Sequence, residues 1–141
     1  MAPKRPSPAA LADLLELSAR LLHSRGYAED LFPAQWVALR YFARAQTTLR
    51  TASELARFQG LANGPVSRTV RTLVDKGLLR KAAEQPKGRA ELLELTEAGE
   101  DLLRRDPHHA LAKVLGDLDA ADQLALARAL EQVLRELSKS S

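Results

Sequence analysis

Between Thr51 and Gly77 the chain holds two short amphipathic segments separated by Gly60-Leu-Ala-Asn-Gly-Pro65, and after Gly77 the helical period stops. That order limits the fold more than any other feature. Thr51-Ala-Ser-Glu54 has the form of a capping box, in which Thr51 accepts the third helical N–H and Glu54 reaches back, so a short helix is predicted over 52–59, ending at Gly60. Asn63 or Gly64 then caps a second helix with Pro65 in its first turn and an apolar stripe of Val66, Val70, Leu73 and Val74; Gly77 ends it. Two helices joined by a short glycine-containing turn form a helix-turn-helix. Beyond it, 78–83 and 91–95 read as strands around a loop over 84–89 with Pro86 and Gly88, a β-hairpin with Leu93 and Leu95 on one face. A hairpin directly after the second helix makes the motif winged.

The remainder reads as helical. Residues 1–8, basic and proline-rich, read as a disordered arm. From Ala9 to Arg25 the positions Leu11, Leu14, Leu15, Ser18, Leu21 and Leu22 keep a helical period that Gly26 stops. Pro33 opens a helix to about Arg44 whose inward face holds Trp36, Val37, Leu39 or Arg40, and Phe42 or Ala43. Thr96 caps a fifth helix to about Arg105, with Glu97, Glu100 and Asp101 in its early turns; Pro107 bends or restarts it toward Leu115, and Gly116 closes it. Asp119 caps a last helix to about Leu137, in which Leu126, Leu130, Val133 and Leu137 follow the 4-3-4 spacing of a coiled-coil seam. The predicted class is mainly α (α+β), a winged helix-turn-helix with helices on both sides in the chain.

Composition narrows the function. At 141 residues the chain suits one domain, or one domain with an oligomerisation appendage. The absence of cysteine excludes a disulfide scaffold, a cysteine-ligated zinc finger and a thiol catalyst. No apolar run approaches the ~20 residues of a membrane span, and no signal-peptide core is present, so a cytoplasmic location is expected. The formal net charge of +3 is unevenly spread: residues 50–89 carry 9 basic and 3 acidic groups, whereas 90–141 carry 6 basic and 11 acidic. A basic middle beside an acidic final third suits a localised polyanion contact.

The exposed positions of the second helix of the motif are Asn63, Ser67, Arg68, Thr69, Arg71 and Thr72. Such side chains reach base edges and phosphates when a helix lies in the major groove. Lys87 and Arg89 at the hairpin tip then face the neighbouring minor groove or backbone. Double-stranded DNA is the predicted partner. A competing reading is a winged-helix protein–protein module with no operator of its own, its basic hairpin facing an acidic partner. No nucleophile–base pair or carboxylate pair stands out, and Gly60-Leu-Ala-Asn-Gly64 lacks the lysine of a phosphate-binding loop, so no enzymatic activity and no cofactor are expected. His108 and His109 are adjacent, about 100° apart on a helix, and mark a solvent-facing kink rather than a metal site.

Leu31-Phe-Pro-Ala-Gln-Trp-Val-Ala-Leu39, Ser53-Glu-Leu-Ala56, Val66-Ser-Arg-Thr-Val70, Leu73-Val-Asp-Lys-Gly-Leu-Leu-Arg80, Gly88-Arg-Ala90 and Leu93-Glu-Leu-Thr-Glu-Ala-Gly99 resemble, in order and spacing, the MarR family of bacterial transcription regulators. The resemblance runs over roughly residues 10–138. It implies a homodimer, usually a repressor, in which the first, fifth and sixth helices form the dimer interface. Residues 9–32 and 97–138 would then be the dimerisation region, with Leu11, Leu14, Leu126, Leu130, Val133 and Leu137 in the interface, and 33–96 the DNA-binding domain. Two-fold symmetry implies a pseudo-palindromic operator, one half-site per recognition helix.

The resemblance also implies a small, often aromatic or phenolic, anionic effector that changes the spacing of the two recognition helices and releases DNA. The matching surface offers His23, Tyr27, Trp36, Arg40, Tyr41 and Arg44, arginine for a carboxylate and Trp36 or Tyr27 for stacking. The competing assignments are a core role for Trp36, an interface role for His23 and a solvated face for Arg40 and Arg44. Thiol sensing is excluded, and Met1 is the sole methionine. At the wing the sequence departs from the family's pattern. Lys87 stands where an acidic residue often orients the wing arginine, so Arg89 loses that carboxylate, with Glu84 and Asp75 as substitutes, and the added charge favours non-specific affinity.

Overall fold

The computed structural model describes residues 4–88 and 90–139. They form α1 (Pro8–Arg25), α2 (Pro33–Arg44), a 3-10 turn (Thr47–Leu49), α3 (Ala52–Gln59), α4 (Asn63–Asp75), β1 (Leu79–Lys81), β2 (Leu93–Leu95), α5 (Glu97–Leu103), α6 (His108–Gly116) and α7 (Ala120–Lys139). The chain divides into two compact units, one through Asp106 and the other from Pro107. Among the described residues no helix is long and apolar enough to cross a membrane.

The first unit is built around α2. Trp36, Leu39 and Phe42 are fully buried and meet Leu55 and Ala56 of α3, Val66, Val70 and Leu73 of α4, Leu78 beside β1, Leu79, Leu93 and Leu102 of α5 in one apolar cluster. Residues three and four apart in α2 share one face, and that face is the core. Two of its polar side chains are buried with it. Gln35 accepts the Phe32 N–H (2.9 Å) at the start of the helix. Arg40 donates from Nε and Nη2 to the two carboxylate oxygens of Asp106, at 2.7 and 2.8 Å.

Local chemistry sets the element ends. Ser7 accepts the Ala10 N–H and Pro8 sits in the first turn of α1, so this helix begins one residue before the position expected from periodicity. Thr51 accepts the Glu54 N–H at 3.1 Å, but the Glu54 carboxylate turns to Arg57 (3.3 Å) instead of closing the capping box. Gly60, at φ +66, takes the left-handed conformation that ends α3. Neither Asn63 nor Gly64 is the cap of α4. Ala62 holds that position without a side-chain hydrogen bond, and Asn63 is already helical. Val74 also departs from expectation: it is 39% exposed, because it stands at the rim of the cleft facing the wing rather than over α2.

β1 and β2 pair antiparallel with Leu79 opposite Leu95, Arg80 opposite Glu94 and Lys81 opposite Leu93. Both strands are shorter than predicted. Past Lys81 the ladder keeps the Ala82 N–H to Leu92 carbonyl bond (3.0 Å), after which the Gln85 side chain lies between the diverging chains. The other side of β2 is met by the Leu93 N–H donating to the Arg50 carbonyl (2.8 Å). Thr96 caps α5 through the Gly99 N–H, and a Cβ at Gly99 would stand 2.3 Å from the Leu78 carbonyl oxygen. Only glycine permits α5 to start so close to β1. α5 ends at Leu103 rather than Arg105, since a residue before proline is driven out of the helical region and α6 starts afresh behind Pro107.

Neither α1 nor α7 contains a buried residue. In α1, Leu11 and Leu14 are exposed; in α7, Leu126 and Leu137 are exposed and Leu130 and Val133 half-buried.

Arg40→Ala removes both guanidinium bonds from the buried Asp106 carboxylate and is expected to destabilise the fold by about 3–5 kcal/mol in denaturant unfolding, whereas Arg40→Met with Asp106→Leu recovers most of the loss. A single variant within 1 kcal/mol of the parent would show that the other surroundings of Asp106, not Arg40, stabilise its carboxylate (~1 kcal/mol being the scale of an exposed pair).

Candidate nucleic-acid interface

The candidate surface is the outer face of α4 together with the wing. Burial of Val66, Val70 and Leu73 against α2 turns Asn63, Ser67, Arg68 and Arg71 to solvent and leaves Thr69 and Thr72 half-exposed. Among the described residues neither Arg68 nor Arg71 has an ion-pair partner. The charge that faces outward from α4 is therefore not neutralised internally.

The hydroxyls are less open than their exposure suggests. Thr69 Oγ1 donates to the Pro65 carbonyl (3.2 Å) and Thr72 Oγ1 to the Arg68 carbonyl (3.0 Å). Their protons are held by the helix itself, leaving lone pairs and methyl groups for a partner, which suits base amino groups and thymine methyls. Ser67 carries no such back-bond among the described residues. The first turn of α4 has no side-chain cap, so its free N–H groups and the positive end of the helix dipole remain available to a phosphate. Arg68 folds back over this turn, with Nη1 3.9 Å from where a Cβ on Gly64 would lie.

A cleft of about 290 Å³ separates α4 from the wing, lined by Ser53, Ser67, Val70, Arg71, Val74, Glu91 and Leu93 among others. Arg71 is thus at the junction of α4 and the hairpin. On the hairpin, Arg80 is paired with Glu94 (2.8 Å) and Lys81 with Glu91 (3.2 Å). Lys87 at the tip is exposed and unpaired among the described residues. Arg89, the other predicted wing contact, lies outside the described residues. Ser53 and Glu91 were not singled out from sequence. Ser53 follows the cap of α3 by two positions, which is the one signal that places it on an exposed first turn.

The six residues expected to receive an effector do not come together. Trp36 is fully buried and its indole N–H donates to the Ala28 carbonyl (3.1 Å). Arg40 is bound by Asp106 and lies 6.0 Å from the Trp36 ring centroid. Both are core residues, not the lining of an open pocket; neither is on a solvated face. Tyr41 points elsewhere, donating to the Leu49 carbonyl (2.6 Å) and packing on Phe58. Burial and, after it, the Glu54 carboxylate push its pKa up, so the hydroxyl stays a donor. Apart from the buried Trp36–Arg40 pair, His23 and Tyr27 meet, edge to face at 5.6 Å between centroids, and Phe32 joins Tyr27 at 5.9 Å. Arg44 is exposed at the end of α2.

A short helix, a glycine turn, a second helix with its polar face outward and a two-stranded hairpin behind it define a winged helix-turn-helix. Residues 29–90, which hold α2, α3, α4, β1 and most of the loop after it, match the sequence model of the MarR family. The resemblance read from the motifs is borne out. Solved structures of similar fold include the MarR/EmrR family transcriptional regulator from Acinetobacter sp. ADP1, at 20% identity and TM-score 0.72 over 93% of this chain and 96% of that one. The PcaV transcriptional regulator from Streptomyces coelicolor, in complex with its natural ligand, is 24% identical with TM-score 0.67 over 96% and 98%. A MarR family protein of Mycobacterium tuberculosis in complex with salicylic acid is 24% identical with TM-score 0.63 over 94% and 99%. At these identities the likeness establishes the fold. No curated protein sequence matches the chain.

Arg71→Ala is expected to lower affinity for a specific duplex by about 1–3 kcal/mol and to relax base preference at one position per half-site. An unchanged preference in a randomised-site selection would place Arg71 toward solvent.

Proposed function

We propose that this protein is a homodimeric, sequence-specific DNA-binding transcription regulator, a repressor of the cytoplasm that a small aromatic or anionic ligand releases from a pseudo-palindromic operator. The observation that carries the reading is the polar face of α4: Asn63, Ser67, Arg68 and Arg71 exposed and Thr69 and Thr72 half-exposed, in a segment of 9 basic and 3 acidic residues that also contains the wing cations Lys87 and Arg89. Such a surface lays α4 in the major groove and the wing on the adjoining backbone or minor groove.

Dimerisation is supported by the apolar positions that each helix leaves open, Leu11 and Leu14 on α1 and Leu126, Leu130, Val133 and Leu137 on α7. An amphipathic helix with no buried residue in its own chain gains stability when a partner covers that face. Release by a ligand is supported by the complexes of the Streptomyces coelicolor and Mycobacterium tuberculosis relatives. In this chain the aromatic group His23–Tyr27–Phe32 is the open part of the surface matched to an effector, Trp36 and Arg40 being committed inside.

The test is a salt titration of binding to duplexes from the flanking intergenic DNA. We expect saturable binding with Kd below micromolar at ~100 mM salt and a log–log salt slope set by several phosphate contacts. Absence of saturable duplex binding under those conditions would sink the reading in favour of a protein–protein module. Separately, Leu130→Asp with Val133→Asp is expected to convert the dimer to monomer in sedimentation and to abolish operator binding with it. A variant that still sediments as a dimer would place the seam elsewhere.

A further inference from the structure

The ladder of the wing reaches only its base. β1 and β2 pair over three residues each, anchored to the core by Leu79 and Leu93, and among the described residues no strand pairing continues past Lys81 toward the tip. The chain then opens into a loop of nine residues between Ala82 and Leu92, which contains Lys87 and Arg89. At the mouth of that loop one exposed side chain replaces the next rung. The Gln85 carboxamide oxygen accepts the Leu92 N–H (2.8 Å), while its nitrogen donates to the Ala82 carbonyl (2.9 Å) and the Leu92 carbonyl (2.8 Å). In a continued ladder Ala82 and Leu92 would exchange both backbone bonds. Here only the Ala82 N–H to Leu92 carbonyl bond forms, and the carboxamide occupies the place of the other.

The arrangement uses both ends of a carboxamide at once. A carboxylate of the same shape would face two carbonyl oxygens without a proton to give, and an aliphatic side chain offers neither bond. It also pulls the loop inward at Gln85, two residues before Lys87. We propose that Gln85 is a positioning residue for DNA recognition: its carboxamide locks the base of the wing, so that Lys87 is presented to the duplex in a fixed direction and is not ordered only on binding. This rests on the DNA-binding reading above. Pre-ordering of a loop lowers the conformational entropy lost on association and so raises affinity without adding a contact.

The experiment is Gln85→Met in the full-length protein, read in two ways. In the free protein, amide hydrogen exchange at Leu92 is expected to rise about tenfold or more, with protection of the α2 core amides unchanged. On an operator duplex, Kd is expected to rise about three- to tenfold and the salt slope to fall toward that of Lys87→Ala with Arg89→Ala. In that wing-less background Gln85→Met is expected to change Kd less than about twofold, since coupled residues fail to add. Unchanged exchange at Leu92 overturns the lock. Equal losses of affinity in both backgrounds overturn the positioning role, because Gln85 then acts independently of the tip. If Lys87→Ala with Arg89→Ala itself leaves Kd unchanged, the DNA-facing wing is wrong and the positioning role falls with it, while Leu92 exchange still reports on the lock.

Discussion

The first unit depends on a charge that its own core cannot tolerate alone. Arg40 stands in the middle of α2, 9% exposed, among the residues that make α2 the centre of packing. A guanidinium there loses most of its hydration, a penalty of several kcal/mol unless a counter-ion answers it. Asp106, 66 residues away in sequence, supplies two parallel hydrogen bonds, the geometry that suits a planar guanidinium best. The pair need not add net stability over an apolar isostere. It discriminates, because any arrangement of α5 that fails to deliver Asp106 leaves the buried Arg40 guanidinium without these two bonds. α2 can therefore pack α3, α4 and the hairpin on one face only when the end of α5 is in register beside it.

What could be read from the sequence divides along the same line. The boundaries of α2, α3 and α4 came within a residue or so of the structure because they are written in local chemistry: Pro33, the Thr51 hydroxyl, Gly60 at φ +66 and Gly77 at φ +76. The buried stripe Val66, Val70 and Leu73 follows from helical period alone. Long-range partners leave no such trace. Nothing near Arg40 announces Asp106: helical period offers Arg40 an inward place as well as a solvated or ligand-facing one but names no counter-ion, and nothing in periodicity marks Gln85 as the extra rung of a hairpin. Trp36 is the middle case, a large apolar ring on an inward face whose N–H needed a buried acceptor, found at Ala28.

For the interface, the residue types on α4 were apparent from the exposed positions, but their donor states were not. Thr69 and Thr72 look like free hydroxyls in a list of polar side chains. In the helix they are donors to their own backbone, which changes which base atoms they can meet. Arg68 and Arg71, by contrast, have no ion-pair partner among the described residues, whereas Arg80 and Lys81 on the hairpin are paired with Glu94 and Glu91. Net positive charge over 50–89 is thus concentrated by pairing, and its outward share lies on α4 and at the wing tip.

The tight turn that joins α1 to α2 has a further consequence. Glu29 and Asp30 both hold positive φ, 54° and 60°, with a bridge between Ala28 and Leu31 closing the turn. Neither is glycine, and left-handed backbone costs roughly 1–2 kcal/mol per ordinary residue. The turn persists because three separate elements hold it. Trp36 of α2 binds the Ala28 carbonyl, Lys76 at the end of α4 donates to the Asp30 carbonyl (2.9 Å), and Arg105 behind α5 pairs with Glu29 (3.4 Å). The exit of the chain from α1 and the far end of α4 are consequently latched to one strained loop. Four residues, Ala28 to Leu31, are thus where α2, the end of α4 and the segment behind α5 are tied to the end of α1.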